Sequence, residues 1–267
     1  MSFVLSWLRE FASFIVPRPL AVSVPAKDVP VEKPTPAVHV ANPAPAVNQV
    51  ATLVSIIMSV TRDFGPSLKT GGQIRKVNAA QAETIAQLIL AEAKTSGIDA
   101  AMLAAGIAGE SCFDPTAVNP NNQDAKKGES AHEAFLHKDI GLCQFDAATI
   151  IARPEMHGLT DEQVEAKALE PQWAVPAFAQ FVHTLLADTE KEVAADATIL
   201  THVPNKDPRV LATLAYNHGL HGALNIAREN GDFAYGVSWM ARYTQYAALL
   251  KGPTANPNVH GDSIIPQ

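Results

Sequence analysis

Prolines concentrated between residues 17 and 45 divide this chain into parts of different character. They are Pro17, Pro19, Pro25, Pro30, Pro34, Pro36, Pro43 and Pro45. Such a segment cannot build a packed core, because proline lacks a backbone N–H and favours an extended chain. We therefore predict that residues 17–46 form an extended linker. The linker joins an N-terminal segment, residues 1–16, to a folded region, residues 47–252, which is followed by a flexible tail, residues 253–267.

The N-terminal segment favours an amphipathic helix. Ser2 and Arg9 share a polar face, and apolar side chains cover most of the remaining surface. The segment is shorter than the ~20 residues that a membrane span needs. No positive charge precedes its apolar part, so it is a poor signal peptide, although a loosely cleavage-like sequence follows at residues 24–26. We expect residues 1–16 to bind a membrane surface or a partner protein; an atypical export signal and a packed helix are the alternatives.

The composition of the chain excludes one large class of function. Its 27 acidic and 20 basic residues give a net charge of -7, and no basic stripe is present. A nucleic-acid-binding surface needs concentrated positive charge, so we expect no nucleic-acid partner. Hydrophobic residues make up 47% of the chain, enough for a sizeable core. Aromatic residues make up only 6%, and the abundance of alanine favours helices.

One predicted helix of the folded region carries a single acidic residue in an otherwise small and apolar sequence. Asp99 is suited to begin this helix as its N-cap, and Asp114-Pro115 cannot continue it. Glu110 follows Ile107 by three residues, so it projects from the apolar face. Burial raises the pKa of such a carboxyl group, which then retains a proton that it can donate to a leaving oxygen. Taken alone, Glu110 is more simply interpreted as a solvated surface charge.

Local signals predict a mostly α fold with a small β-excursion. Residues that favour N-cap positions precede several predicted helices: Asn78, Asp99, Asp146, Thr160 and Asp207. We predict that the helix after Asp207 ends at Tyr216, with Gly219 as its stop. Residues 140–145 predict a short strand or a turn.

Three sequence blocks occur in a fixed order in the folded region. They are Glu110-Ser111-Cys112-Phe113-Asp114-Pro115, Gly141-Leu142-Cys143-Gln144-Phe145 and Ala215-Tyr216-Asn217-His218-Gly219. Together they resemble the soluble lytic transglycosylase (SLT) domain of the lysozyme-like superfamily. The pattern of that family is Glu-Ser-x-Phe-x-Pro, then Gly-Leu-x-Gln, then Ala-Tyr-Asn-x-Gly. The resemblance covers roughly residues 82–250, and three blocks in order are far more specific than any one of them.

This resemblance implies a lysozyme-like fold and a reaction on peptidoglycan. Glu110 would be the sole acid and base: it would protonate the bond between N-acetylmuramic acid and N-acetylglucosamine. It would then accept the proton of the muramoyl 6-hydroxyl, so that a 1,6-anhydro end forms. Ser111 would help position the carboxyl group, Gln144 would line the glycan groove, Tyr216 would place its hydroxyl near Glu110, and Asn217 would contact substrate or brace the site.

The chain departs from the family between the first two blocks, where a short turn is replaced by a longer polar loop. A hydrolysing muramidase of the inverting kind needs a second carboxylate about 6.5–9.5 Å from the acid. Asp139 or Asp124 would supply it, as is thought for goose-type lysozymes, and the enzyme would then be a hydrolase. An alternative of another class is a catalytically idle, wall-binding structural protein that retains the fold.

The sequence predicts no metal and no cofactor. His132 and His137 are one residue too far apart for a zinc-binding helix motif, and His218 and His221 lack an evident third ligand. The cysteines, Cys112 and Cys143, are either two free thiols or, in an exported protein, one bridge.

The resemblance also gives the N-terminal segment and the linker a use in the cell envelope. They would hold a bacterial enzyme on the membrane while it reaches the wall, or a phage enzyme on the virion, through contact with a virion protein. The poor signal peptide favours the phage virion slightly.

Overall fold

The computed structural model of the protein describes residues 48–63, 77–119 and 128–252. The predicted N-terminal helix, the linker, the tail and Asp124 lie outside the described residues. The boundaries proposed for the folded region therefore stay predictions.

Helices dominate the described chain, as the sequence predicts. They are α1 (Gln49–Asp63), α2 (Ala79–Ser96), α3 (Ala100–Ser111), α4 (Ala131–Leu136), α5 (Ala147–Ile151), α6 (Asp161–Ala168), α7 (Pro171–Ala195), α8 (Pro208–Glu229) and α9 (Ala234–Lys251). Short 3-10 helices occur at Pro154–Met156, Ala197–Thr201 and Pro204–Lys206. The strands are β1 (Val118–Asn119), β2 (Asp139–Ile140) and β3 (Phe145–Asp146). None of these helices combines the length and the apolar character that crossing a membrane requires.

Side-chain caps set the starts of several helices where the sequence predicts them. Asn78 accepts from the backbone N–H of Gln81, whose side chain in turn accepts from the backbone N–H of Asn78. Asp99 accepts from the N–H of Ala101 at 2.8 Å and so begins α3. The caps at Asp146, Thr160 and Asp207 are confirmed in the same way. These predictions hold because a cap depends on groups within three residues of each other.

The prediction that Gly219 stops a helix is confirmed at the level of the backbone. Gly219 has φ 68° and ψ 160°, which is not helical, so α8 consists of two helical segments that meet at Gly219, the second of which ends at Glu229. Glycine tolerates this backbone conformation without a steric penalty. Beyond the bend, Ala223 and Leu224 are buried, so packing against the core stabilises the second half of the helix.

Helix α3 lies at the centre of the core, and every residue from Ala101 to Ala108 is buried. Helix α9 packs along it, and the indole N–H of Trp239 donates to the carbonyl of Met102 at 3.1 Å. A Cβ on Gly106 would lie 2.2 Å from the Trp239 ring and 2.5 Å from the Phe178 ring. This close contact of α3 with α7 and α9 fixes the end of α3 that carries Glu110.

The β-excursion is a three-stranded antiparallel sheet in the order β1-β2-β3. Asn119 pairs with Asp139, and Asp139 pairs with Asp146. Residues 141–144 form the tight turn that joins β2 to β3. Gly141 has φ 75°, its N–H donates to Ala117 at 2.7 Å, and a Cβ there would lie 2.6 Å from the carbonyl oxygen of Ala168. The strand and the turn that the sequence left as alternatives therefore both occur.

Candidate active site

Glu110 occupies the last turn of α3, at the point where the chain leaves the core. Cys112 and Phe113, which directly follow the helix, have φ of 52° and 64°, so the chain turns sharply there. The Glu110 side chain is half-buried, and its carboxylate accepts a hydrogen bond from the hydroxyl of Tyr235. The structure thus places the one acidic residue of α3 in a largely apolar setting with a specific donor.

The surroundings of Glu110 raise its pKa from the ordinary 4.5 to about 7. Burial is the main cause, and the negative charge of Asp139 adds to it. The hydrogen bond from Tyr235 and the positive charge of Arg242 act in the opposite direction. A carboxyl group with a pKa near neutrality can both donate and accept a proton at physiological pH, which is what an acid/base catalyst requires.

Sequence reasoning missed Tyr235 as the partner of Glu110. Tyr235 is near the start of α9, 125 residues further along the chain than Glu110, and lies in none of the three motif blocks. Burial and the charge of Glu110 raise the pKa of its hydroxyl, so that Tyr235 remains a neutral hydrogen-bond donor. No local spacing points to this pair, because the contact depends on how α9 packs against α3.

Tyr216 has a different partner from the one that the sequence suggests. Its hydroxyl donates to the carbonyl oxygen of Cys143 at 2.5 Å. Its ring packs against Phe145, Phe178 and Trp239 at centroid distances of 5.4–6.0 Å. Burial and, after it, the charge of Glu110 raise the pKa of Tyr216 well above its ordinary value. Tyr216 is therefore in the electrostatic reach of Glu110, but its hydroxyl holds the turn at residues 141–144.

Ser111 holds the same turn from the other side. It is buried, and its hydroxyl donates to the carbonyl oxygen of Leu142 at 2.7 Å. Ser111 and Tyr216 thus bind two consecutive carbonyl groups of one turn. With only 2% of its surface exposed, Ser111 braces this turn.

Gln144 and Asn217 are the predicted substrate contacts that reach the surface. Gln144 has φ 48° and is half-buried, and its side-chain amide donates to the carbonyls of Gly141 at 2.8 Å and Ala117 at 3.2 Å. Asn217 is exposed and directly follows Tyr216. Gln144 belongs to the turn at residues 141–144 and Asn217 to α8, and the hydrogen bond of Tyr216 joins these two segments.

Asp139 lies on β2 and acts electrostatically on Glu110. It accepts from the side-chain amide of Asn119 at 3.1 Å. Burial, followed by the charge of Asp146, raises the pKa of Asp139 from 3.8 to about 6, while the hydrogen bond from Asn119 opposes this shift. Of the two candidate second carboxylates, Asp139 is therefore beside the site, and Asp124 lies outside the described residues.

The cysteines are two free thiols, and both are buried. Burial and the charge of Glu110 raise the pKa of Cys143 well above its ordinary value, and burial also raises the pKa of Cys112. Thiols protonated in this way are poor nucleophiles.

Two of the histidines considered as metal ligands, His132 and His137, pair with carboxylates. His132 lies 2.9 Å from Asp161, and His137 lies 3.3 Å from Glu129. Within residues 48–63, 77–119 and 128–252, no three His, Cys, Asp or Glu residues are grouped so that they could hold a metal ion.

A cavity of about 350 Å³ lies at the opposite end of α3 from Glu110. Two of its polar lining residues are paired: Arg209 binds Asp207 at 2.7 Å, and the hydroxyl of Tyr243 donates to Asp99 at 3.4 Å. The candidate site is therefore defined by the chemistry around Glu110 and not by this cavity.

One comparison with known proteins gives a match. The model of a family described as "Transglycosylase SLT domain" matches residues 87–236, more than half of the chain. The matched range contains Glu110, the turn at residues 141–144, Tyr216 and Tyr235. No curated protein and no solved structure matches the chain.

Proposed function

The chain belongs to the transglycosylase SLT domain family, and we propose that Glu110 is the acid/base with which it cleaves peptidoglycan. Membership in this family indicates peptidoglycan degradation of the lytic-transglycosylase type in general. The finer proposal is that the bond cleaved joins N-acetylmuramic acid to N-acetylglucosamine and that the product has a 1,6-anhydro end. The observation that carries the role of Glu110 is its half-buried carboxyl group, which accepts a hydrogen bond from Tyr235 and whose pKa burial raises to about 7.

In the first step, protonated Glu110 donates its proton to the oxygen that bridges the two sugars. The bond between this oxygen and the anomeric carbon breaks, and the N-acetylglucosamine side leaves with its new hydroxyl group. The muramoyl ring is left with positive character at the anomeric carbon. Glu110 is now a carboxylate, which the hydroxyl of Tyr235 stabilises by its hydrogen bond.

In the second step, the Glu110 carboxylate accepts the proton of the muramoyl 6-hydroxyl. The freed oxygen attacks the anomeric carbon of the same sugar and closes the anhydro ring. No water is consumed, and Glu110 returns to its protonated form. One carboxyl group is enough for this reaction if its pKa lies near the working pH, as it does here.

The turn between β2 and β3 supplies the proposed groove wall. Ser111 and Tyr216 hold the carbonyls of Leu142 and Cys143, which fixes the turn next to the end of α3. Gln144 at the end of this turn and the exposed Asn217 are the polar side chains that we propose to contact the glycan. Buried hydroxyls therefore position the turn, and surface amides recognise the substrate.

A hydrolase is the second candidate, and Asp139 is the observation that favours it. With a pKa of about 6, this carboxyl group is largely ionised at neutral pH and is able to activate a water molecule. Its charge also reaches Glu110. Hydrolysis would release reducing ends in place of anhydro ends.

Digestion of purified peptidoglycan by the full chain, followed by mass analysis of the released fragments, tests this proposal. Anhydro ends support the transglycosylase, and reducing ends identify a hydrolase. Glu110→Gln removes the acid and should abolish release, whereas Glu229→Gln changes an exposed glutamate at the end of α8 and should not. Full activity of Glu110→Gln would overturn the assignment of Glu110. A wild-type chain that binds the wall without releasing fragments would be an idle wall-binding protein.

The place of action that we propose is the bacterial cell envelope, which the enzyme reaches from a phage virion or from the membrane. Residues 1–16 would make the attachment, to a virion protein or a membrane surface, and the proline-rich linker would give the folded region its reach. This part of the proposal is supported by the sequence alone.

A further inference from the structure

We propose that Arg242, which lies against Gly109, is a positioning residue that stabilises the Glu110 carboxylate after its proton has been given up. This inference rests on the proposed function and adds a residue to its machinery. Arg242 belongs to α9 and lies beyond the matched residues 87–236.

Hydrogen bonds hold the guanidinium group of Arg242 in one place. Its Nε donates to the carbonyl of Ala105 at 3.0 Å, and its Nη1 donates to the hydroxyl of Ser238 at 2.9 Å. Ala105 belongs to α3, whereas Ser238 is one turn before Arg242 on α9. The guanidinium is therefore fixed to both helices that carry the Glu110–Tyr235 pair.

The absence of a side chain at Gly109 makes room for this arrangement. A Cβ at Gly109 would lie 2.3 Å from Nη2 and 3.0 Å from Cζ of Arg242. Glycine inside a helix costs about 1 kcal/mol relative to alanine. Replacing Gly109, which directly precedes Glu110, by any larger residue would therefore displace the guanidinium group of Arg242.

The charge of Arg242 acts on the candidate site. Among the described residues, no carboxylate forms an ion pair with Arg242. Its charge lowers the pKa of Glu110 and acts in the same direction on Tyr235 and Cys112. An unneutralised cation at a fixed position stabilises a nearby carboxylate, more strongly where burial limits screening by water.

The other groups coupled to Glu110 lie on α9, on β2, on α8 and in the turn at residues 141–144, and they do not supply a positive charge. Tyr235 on α9 donates a hydrogen bond, and Asp139 on β2 adds a negative charge. Tyr216 on α8 and Cys143 in the turn have raised pKa values to which the charge of Glu110 contributes. Burial and Asp139 favour the protonated acid, whereas Arg242 and Tyr235 favour the carboxylate. The balance keeps the two forms close in free energy, as a group that gives and then takes a proton requires.

The test compares Arg242→Gln with wild type by two measurements. The first is the pH dependence of kcat/KM on peptidoglycan, whose alkaline limb follows loss of the proton from Glu110. The second is an NMR titration of the carboxyl carbon of Glu110, assigned from the signal that Glu110→Gln removes. We expect Arg242→Gln to move both midpoints upward by about half a pH unit to one unit, because the carboxylate loses its cation.

Matched variants separate charge from structure. Arg242→Lys keeps the positive charge and should hold the midpoints within a few tenths of a unit of wild type. Gly109→Ala displaces the guanidinium and should shift the midpoints in the same direction as Arg242→Gln, by less. Arg228→Gln removes an exposed positive charge from α8 and should shift neither. If Arg242→Gln does not fold, the midpoints of Gly109→Ala and Arg242→Lys are compared with wild type in its place.

Equal midpoints in Arg242→Gln and Arg228→Gln would overturn the inference. A rise in KM with an unchanged pH profile would also overturn it, and would make Arg242 a contact for an anionic part of the substrate. The titration reads the Glu110 carboxyl group without catalysis, so it stands even if Glu110→Gln proves active. In that case the proposed function would fail while the effect of Arg242 on Glu110 would still be measured.

Discussion

The hydroxyl of Tyr235 donates a hydrogen bond to the carboxylate of Glu110, although 125 residues separate them along the chain. The bond joins the end of α3 to the start of α9. Its effect on the pKa of Glu110 opposes the larger effect of burial, so the acid is held near neutrality and not far above it.

Replacement of Tyr235 by phenylalanine should reduce kcat/KM on peptidoglycan by about ten- to a hundredfold. A hydrogen bond to a charged group contributes roughly 1.5–3 kcal/mol, and here it stabilises the carboxylate that forms when the acid gives up its proton. The alkaline limb of the pH profile should also move upward. Tyr243→Phe is the control, because it removes a hydroxyl that is bonded to Asp99 at the other end of α3. Equal activity of the two variants would contradict this role of Tyr235.

Glu110 should make the protein less stable as the pH rises. The folded protein binds the Glu110 proton up to a pKa of about 7, whereas the unfolded chain releases it near 4.5. Between these values the folded state binds more protons, so the free energy of unfolding falls with increasing pH, by roughly 3 kcal/mol in all.

Urea denaturation of wild type and Glu110→Gln between pH 4 and 8 measures this contribution. The difference between the two removes the effect of every other titrating group. We expect the variant to gain stability over wild type as the pH rises from about 4.5 to about 7, since its amide cannot ionise, and the difference to level off above pH 7. A difference that stays constant over this range would show that the pKa of Glu110 is not raised.

Replacement of Asp139 by asparagine distinguishes the two candidate reactions. For a transglycosylase, the anhydro products should persist, and the alkaline limb should move to lower pH because the negative charge that raises the pKa of Glu110 is gone. If the wild-type enzyme releases reducing ends, and the folded Asp139→Asn variant loses more than about a hundredfold of its activity, Asp139 is the base of a hydrolase. Asp161→Asn, on α6, controls for the loss of a carboxylate.

Replacement of Ser111 by alanine or of Tyr216 by phenylalanine should each lower the free energy of unfolding by about 1–3 kcal/mol. Each change leaves a carbonyl of the turn without its hydroxyl donor. Because the two carbonyls are consecutive, the double variant should lose less than the sum of the single effects. Urea denaturation tests this, with Tyr246→Phe as a control at a buried tyrosine of α9. Strict additivity would show that the two hydroxyls do not hold one turn.

Removal of residues 1–46 should leave wall cleavage by the purified folded region intact and abolish its attachment. The reason is that the proline-rich linker cannot contribute to a packed core. Fragment release and binding to membrane vesicles or virions measure the two properties separately. A truncated chain that is folded but inactive would show that the folded region begins before residue 47.

Features that depend on neighbouring residues could be read from the sequence. The N-caps at Asn78, Asp99 and Thr160 were predicted correctly because each side chain meets backbone groups two or three residues away. The helical class and the small sheet followed from the same local signals. The break in α8 at Gly219 was likewise predictable, because glycine adopts a positive φ without a steric penalty.

The sequence by itself singled out Glu110, as the one acidic residue of an apolar helix that opens the first of three ordered motif blocks. Only the tertiary structure decided which groups surround it: Tyr235 as its donor, Asp139 and Arg242 as opposing charges, and Tyr216 on the adjoining turn. These contacts join α3 to elements that are distant along the chain. The pKa of a carboxyl group depends on burial and on charges that lie near it in space, so the proton that Glu110 holds is set by packing and not by its position in the sequence.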